Sequence, residues 1–150
     1  MNYEVVGSQI AYAGKILKVA VDDIVYTESG RKSKREVVVK DDFVMVVPVM
    51  ADGCMLCVRQ FRHPFQQMAI GFPAGKVDAG ESPEDAALRE LQEEACVRPK
   101  KLTKIAEMHE VPEFARSIGH LYVAEGLEAA EKDGRDEGEA TMEVLHLKEK

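Results

Sequence analysis

The stretch GKVDAGESPEDAALRELQEEACV, Gly75 to Val97, decides how the rest of the chain is read. Ser82-Pro83-Glu84-Asp85 predicts a helix start: a hydroxyl N-cap, a proline in the first turn, and acids near the positive helix end. The helix runs to about Ala95, because Pro99 bars much extension. At about 100° per residue, Ala87, Leu88, Leu91 and Ala95 fall on one arc and predict the buried stripe. Glu90, Glu93 and Glu94 fill the adjacent arc. Glu90 and Glu94 are i,i+4 neighbours, a like-charge spacing that costs roughly 0.2–0.5 kcal/mol, and no lysine is placed to relieve them. The wheel alone favours a solvated acidic face. The functional alternative is a site for a positive ion.

Carboxylate oxygens are hard donors that suit Mg²⁺ or Mn²⁺. One rigid helix of them beside the Gly-rich segment Gly71-Phe72-Pro73-Ala74-Gly75 could hold such ions with help from backbone carbonyls. Ions of this kind neutralise a polyphosphate and polarise its phosphorus. Upstream, RQFR places Arg59 and Arg62, whose forked guanidinium groups match phosphate.

Outside this stretch the composition narrows the classes. A chain of 150 residues at 45% hydrophobic content reads as one soluble domain with room for a sizeable core. A net charge of −7 argues against a nucleic-acid partner. The basic run RKSKR, Arg31 to Arg35, reads as a solvated hairpin tip. The 3 cysteines, Cys54, Cys57 and Cys96, make no disulfide framework and fit a reducing compartment. Cys54 and Cys57 have CxxC spacing, but in an apolar strand they would point to opposite faces, and no second pair follows at zinc spacing. The first residues lack the pattern of a secretory signal. The apolar run Phe43 to Ala51 is too short to span a bilayer. The expectation is a cytoplasmic protein with no membrane partner.

Leu17, Val19 and Val21 alternate with polar or small residues as a half-buried strand, and Glu36 to Lys40 returns as its partner after the Ser29-Gly30 turn. Residues 1–40 are therefore β-rich. Phe43 to Met50 is apolar on both faces and reads as a central strand. A turn at Ala51-Asp52-Gly53 leads to a strand from Cys54 to Phe61. Gly71 to Gly75 reads as a break in regular structure. Lys104–Met108, Leu121–Glu125 and Met142–Leu147 read as further strands. Strands around one strong helix indicate an α+β fold. The polar segment Glu128 to Glu139 reads as a loop.

Gly75, Glu81 and Arg89-Glu90-Leu91-x-Glu93-Glu94-x-Cys96-Val97 resemble the Nudix box, G-x5-E-x7-R-E-U-x-E-E-x-G-U, with U an aliphatic residue. One specified position departs, Cys96 in place of glycine. A small residue or positive φ is useful after a helix, so the change is expected to be tolerated. RQFRHP, FPAGKVDAGE, LYVAEGL, DEGE and MEVLHL resemble the ADP-ribose pyrophosphatase branch of that family. So does Pro112, sixteen residues beyond Cys96. The resemblance covers most of residues 15–147.

The resemblance implies a Nudix α/β/α sandwich with a mixed sheet and an antiparallel N-terminal extension. Residues 1–40 would form the extension and the dimerisation segment of a homodimer, and residues 41–150 the catalytic domain. It implies a Mg²⁺-dependent hydrolase, with Mn²⁺ as an alternative ion, splitting a nucleotide sugar, ADP-ribose, into AMP and ribose 5-phosphate. Glu90, Glu93 and Glu94, the carbonyl of Ala74, and Glu139 correspond to metal ligands. Glu137 corresponds to the catalytic base on a lid loop, with Glu93 of the box left as the base if no loop acid serves. Arg89 ties down the box glutamates, Glu81 supports them, and Arg59, Arg62 and Pro112 face the substrate.

Three departures bear on that reading. Gly71 and Ser117 stand where the branch usually has glutamate, which leaves Glu113 as a rival base. The sequence also stops soon after its last strand, where the branch usually adds a helix over the sheet, so apolar surface is expected to be exposed or given to a partner. Two alternatives stay open: a hydrolase of another nucleoside diphosphate sugar, such as GDP-mannose or UDP-glucose, and a non-catalytic nucleotide sensor.

Overall fold

The computed structural model describes residues 2–131 and 143–147. They fall into two compact units. The first joins the chain up to Asp42 with the later segment His109–Ile118; the second joins Phe43–Met108 with the chain from Gly119 onward.

In the first unit, β1 (Tyr3–Ala13), β2 (Lys18–Tyr26), β3 (Lys32–Val39) and β9 (Ala115–Arg116) form a four-stranded sheet in that order. The first three are antiparallel, and β9 adds to β3 in parallel. The basic run is not a hairpin tip. The turn is Thr27–Gly30, with Gly30 at φ 66°, and Lys32 to Arg35 already belong to β3. Three of these exposed cations have partners. Lys34 pairs with Asp23 at 2.7 Å, Arg35 donates to the Tyr26 hydroxyl at 2.8 Å, and Arg31 lies 4.8 Å over the Tyr26 ring.

The second unit is a mixed sheet. Its path runs β11 (Glu143–Leu147), β5 (Met55–Arg62), β4 (Phe43–Val49), β10 (Ile118–Ala129), β8 (Val97–His109). The short strands β6 (Gln67–Gly71) and β7 (Ala74–Lys76) pair with β5 and β4. β4 and β10 are parallel, while β5 is antiparallel to β4, β6 and β11. The segment expected to break regular structure thus contains the end of β6 and the start of β7, and the interruption shrinks to Phe72-Pro73. There the Pro73 carbonyl accepts from Val46 N at 2.9 Å.

Helix α1 (Pro83–Ala95) is the α-helix of the described residues. It covers the sheet face that carries Val44, Val46, Tyr122 and Ala124, and packs Ala86, Ala87 and Leu91 against them. On β4 these alternate positions are buried, while Phe43, Met45, Val47 and Val49 on the other face are half-buried. The expected α+β fold with a mixed sheet and an antiparallel N-terminal sheet is the one observed. The buried stripe of α1 is rotated from the expected one: Leu88 is 36% exposed, and Ala86 takes its place in the core.

Candidate active site

Both ends of α1 are fixed locally. Ser82 Oγ accepts from Asp85 N at 3.1 Å and donates to the Asp85 carboxylate at 2.6 Å. At the other end Cys96 adopts φ 55°, ψ 39°, and its N–H bonds to the Gln92 carbonyl at 3.1 Å. This left-handed cap is the conformation glycine adopts most cheaply, so cysteine here carries backbone strain.

The rotation of the helix changes the meaning of its acids. The buried residues are Ala86, Ala87, Glu90, Leu91, Glu94 and Ala95. On a 100° wheel they form one continuous arc, and Glu90 and Glu94 lie within it, not beside it. They are only 5% and 3% exposed. The solvated acidic face favoured by the wheel alone is therefore ruled out. Burying ionised carboxylates is costly unless they are hydrogen-bonded or matched by a cation.

Part of that match is Arg89. Its Nε and Nη2 donate to the two oxygens of Glu81 at 3.0 and 3.1 Å. Nη1 donates to Glu90 at 2.6 Å and to Glu93 at 2.9 Å. Nη2 also reaches the Lys76 carbonyl at 3.0 Å, so all five guanidinium protons are used. Glu81, then the other glutamates, hold Arg89 firmly protonated, and Arg89 holds the Glu81 carboxyl below the usual glutamate range. Glu94 accepts from the backbone N–H of Ala74 at 3.0 Å. Glu90 lies against Gly75, where an added Cβ would fall 1.9 Å from its carboxylate oxygen. Gly75 is not among the positive-φ glycines, so its smallness is what the site uses. The box pattern marks Gly75, but its close approach to Glu90 is visible only in three dimensions.

One guanidinium thus faces several carboxylates, and the ionised cluster keeps a net negative charge. The hard oxygen donors and the close glycine cradle suit a divalent cation. As arranged, Arg89 bridges Glu90 and Glu93, and no three His, Cys, Asp or Glu side chains among the described residues converge at ion-holding distance. Glu90, Glu93 and Glu94, together with the Ala74 carbonyl, are the groups that would hold the ion.

The remaining expected residues are more dispersed. Arg59 and Arg62 lie three apart on β5, in an unbroken ladder with β6, and so point to opposite sheet faces. The Val49–Met55 pair fixes which is which: Arg62 is on the face that carries α1, and Arg59 is on the other. Gly71, paired with Val58, has open space where a side chain would be. Pro112 belongs to the first unit. With Tyr3, Arg35, Glu113 and Arg116 it lines a cavity of about 330 Å³. Ser117 is buried and donates to Glu110 at 3.4 Å, and Glu113 is exposed. Glu137 and Glu139 lie outside the described residues.

Comparison with known proteins agrees with this geometry. The NUDIX domain family matches residues 40–149. The ADP-ribose pyrophosphatase of Bacillus subtilis (strain 168) is 36% identical over 147 residues, spanning 98% of this chain and 79% of that protein. The methanol dehydrogenase activator of Bacillus methanolicus is 36% identical over 129 residues, spanning 85% of this chain and 69% of that protein. Among solved structures, an ADP compounds hydrolase superposes with a TM-score of 0.87 over 98% of this chain and 78% of that one. At 21% identity that likeness speaks for the fold alone. The chain belongs to the Nudix family. Within it, the chain is a pyrophosphohydrolase.

Proposed function

We propose that the enzyme hydrolyses ADP-ribose to AMP and ribose 5-phosphate. The observation that carries this reading is the burial of Glu90 and Glu94 within the packed arc of α1, against Ala74 and Gly75. A protein keeps acids there at a cost to stability unless they serve a ligand. The relative from Bacillus subtilis supports the choice of substrate.

Bound Mg²⁺ or Mn²⁺ would neutralise the diphosphate and polarise its phosphorus. Glu90, Glu93, Glu94 and the Ala74 carbonyl would hold it, with Glu139 as a further ligand, and Arg89 would keep the glutamates in place. Arg62, on the α1 face of the sheet, supports a phosphate contact from RQFR on that side. Glu137 takes a proton from water as its oxygen attacks phosphorus and the P–O–P bond breaks; the leaving phosphate departs with the electron pair. Pro112, sixteen residues beyond Cys96, is assigned to the substrate by its position relative to the box.

The enzyme acts as a cytoplasmic homodimer joined through residues 1–40. Val5, Val6, Ile10, Tyr12 and Ile16 are exposed apolar side chains on and beside β1, which supports that assignment. Light scattering at micromolar concentration tests it, and a monomer would refute it. No helix among the described residues is long and apolar enough to cross a membrane.

A second reading, cleavage of another nucleoside diphosphate sugar, is favoured by the open space at Gly71 and the burial of Ser117, where the branch usually has carboxylates. A panel of nucleoside diphosphate sugars with Mg²⁺, read by product identity, separates the two. AMP and ribose 5-phosphate as the preferred products support the first. Faster turnover of a GDP- or UDP-sugar replaces it with the second.

A further inference from the structure

The chain leaves the catalytic unit after Met108 and re-enters it at Gly119. The excursion between them carries Pro112 and Glu113. Glu107, near the end of β8, and His120, near the start of β10, stand just inside the exit and the return. His120 is 8% exposed, with its Nδ1 3.3 Å from Glu107 Oε1. That is ion-pair distance without hydrogen-bond geometry, and Nδ1 is a buried side-chain nitrogen left without a hydrogen bond.

We propose that His120 and Glu107 form a proton-operated clasp at the neck of residues 109–118, loose when His120 is neutral and closed when it is protonated. This goes beyond the proposed reaction and does not depend on which nucleotide sugar is cleaved. Neutral imidazole has one N–H; the protonated ring donates from both nitrogens. Ionised Glu107 can only accept, so protonation turns an unsatisfied contact into a charge-assisted bond between the two strands.

The surroundings set the balance. From β8, Lys104 pairs with Glu107 and holds its carboxyl below the usual range, so Glu107 stays ionised while a histidine titrates. From β10, Tyr122 faces the group, and burial pushes its hydroxyl up, so it remains neutral. From α1, Glu84 adds negative charge near Tyr122. β4 contributes Val44 beside His120 and Val46 beside Tyr122, which do not titrate.

Hydrogen exchange of the amides at 107–109 and 118–120, corrected for intrinsic rates, tests the clasp at about pH 5.5 and pH 8. Protection in the wild type should be roughly two- to fivefold greater at the lower pH, the scale of a partly exposed ion pair. Glu107→Gln, at a half-exposed position, keeps the fold and should abolish the difference, while β4 amides respond alike in both proteins. His120→Gln should behave as Glu107→Gln does. Equal protection at both pH values in the wild type, or an undiminished difference in Glu107→Gln, overturns the proposal.

Discussion

Glu90 rests where the Cβ of Gly75 would be: a methyl group there would lie 1.9 Å from its Oε1 and 2.1 Å from its Cδ. The backbone of β7 therefore comes close enough to α1 for a carboxylate to fill the space between them. Gly75→Ala should push Glu90 out of place. The expected loss is roughly 1–3 kcal/mol of stability, the usual cost of overpacking, with weakened divalent-ion affinity. Urea unfolding and calorimetric Mg²⁺ titration check both; an Ala variant with unchanged stability and affinity would show that the close approach is not needed.

Arg89 links stability to pH. Its guanidinium depresses the Glu81 pKa, so the unfolded chain takes up that proton first as acid is added. The resulting stability is fully present above the ordinary glutamate value and is lost as pH falls through the lower, folded value. Arg89→Met leaves Glu81 and Glu90 without this cation and should destabilise by roughly 2–4 kcal/mol at neutral pH, with a shallower acid limb. Melting temperatures from pH 3 to 7 for both proteins would show it. Parallel acid limbs would contradict the role assigned to Arg89.

Cys96 holds a left-handed backbone at φ 55°. Cys96→Gly removes that strain and loses a small, half-buried side chain. It should stabilise by about 0.5–1 kcal/mol with activity unchanged. A denaturation midpoint at or below that of the wild type would mean that the thiol's packing outweighs the strain.

Glu137→Gln should lower kcat roughly 10²–10⁴-fold, the typical loss of a general base, with little change in substrate affinity. Wild-type turnover in Glu137→Gln together with a dead Glu113→Gln would move the base to Glu113. If neither matters, Glu93 is left as the base.

Much of this was legible in the chain. Ser82, Pro83 and Pro99 bounded α1, and alternation or unbroken apolarity marked β2, β4 and β5. The failures have physical causes. A helical wheel gives relative angles but not which arc meets the sheet, and hydrophobicity pulled the stripe toward Leu88. Ala86, Glu90 and Glu94 turned out to be buried because β7 approaches that side of the helix. RKSKR read as a hairpin tip because cations on a strand look like cations in a turn; they are exposed as expected, but on β3, where Lys34 and Arg35 meet Asp23 and Tyr26 of β2 across the sheet. β9 spans two residues, too few to show a period, so nothing in the sequence announced that His109–Ile118 would join the N-terminal sheet. The split of Arg59 and Arg62 between faces follows from their spacing alone, once the strand is known to be regular.

Whether the buried acids of α1 hold a divalent ion is read most directly by calorimetric titration of Mg²⁺ or Mn²⁺ into the wild type and Glu94→Gln. The wild type should bind the ion, melt at a higher temperature when loaded, and lose activity in EDTA. Glu94→Gln should bind at least roughly tenfold more weakly, as when a metal site loses a supporting group, with turnover partly rescued by excess Mg²⁺. Full activity in EDTA, with no ion bound by either protein, would contradict the account.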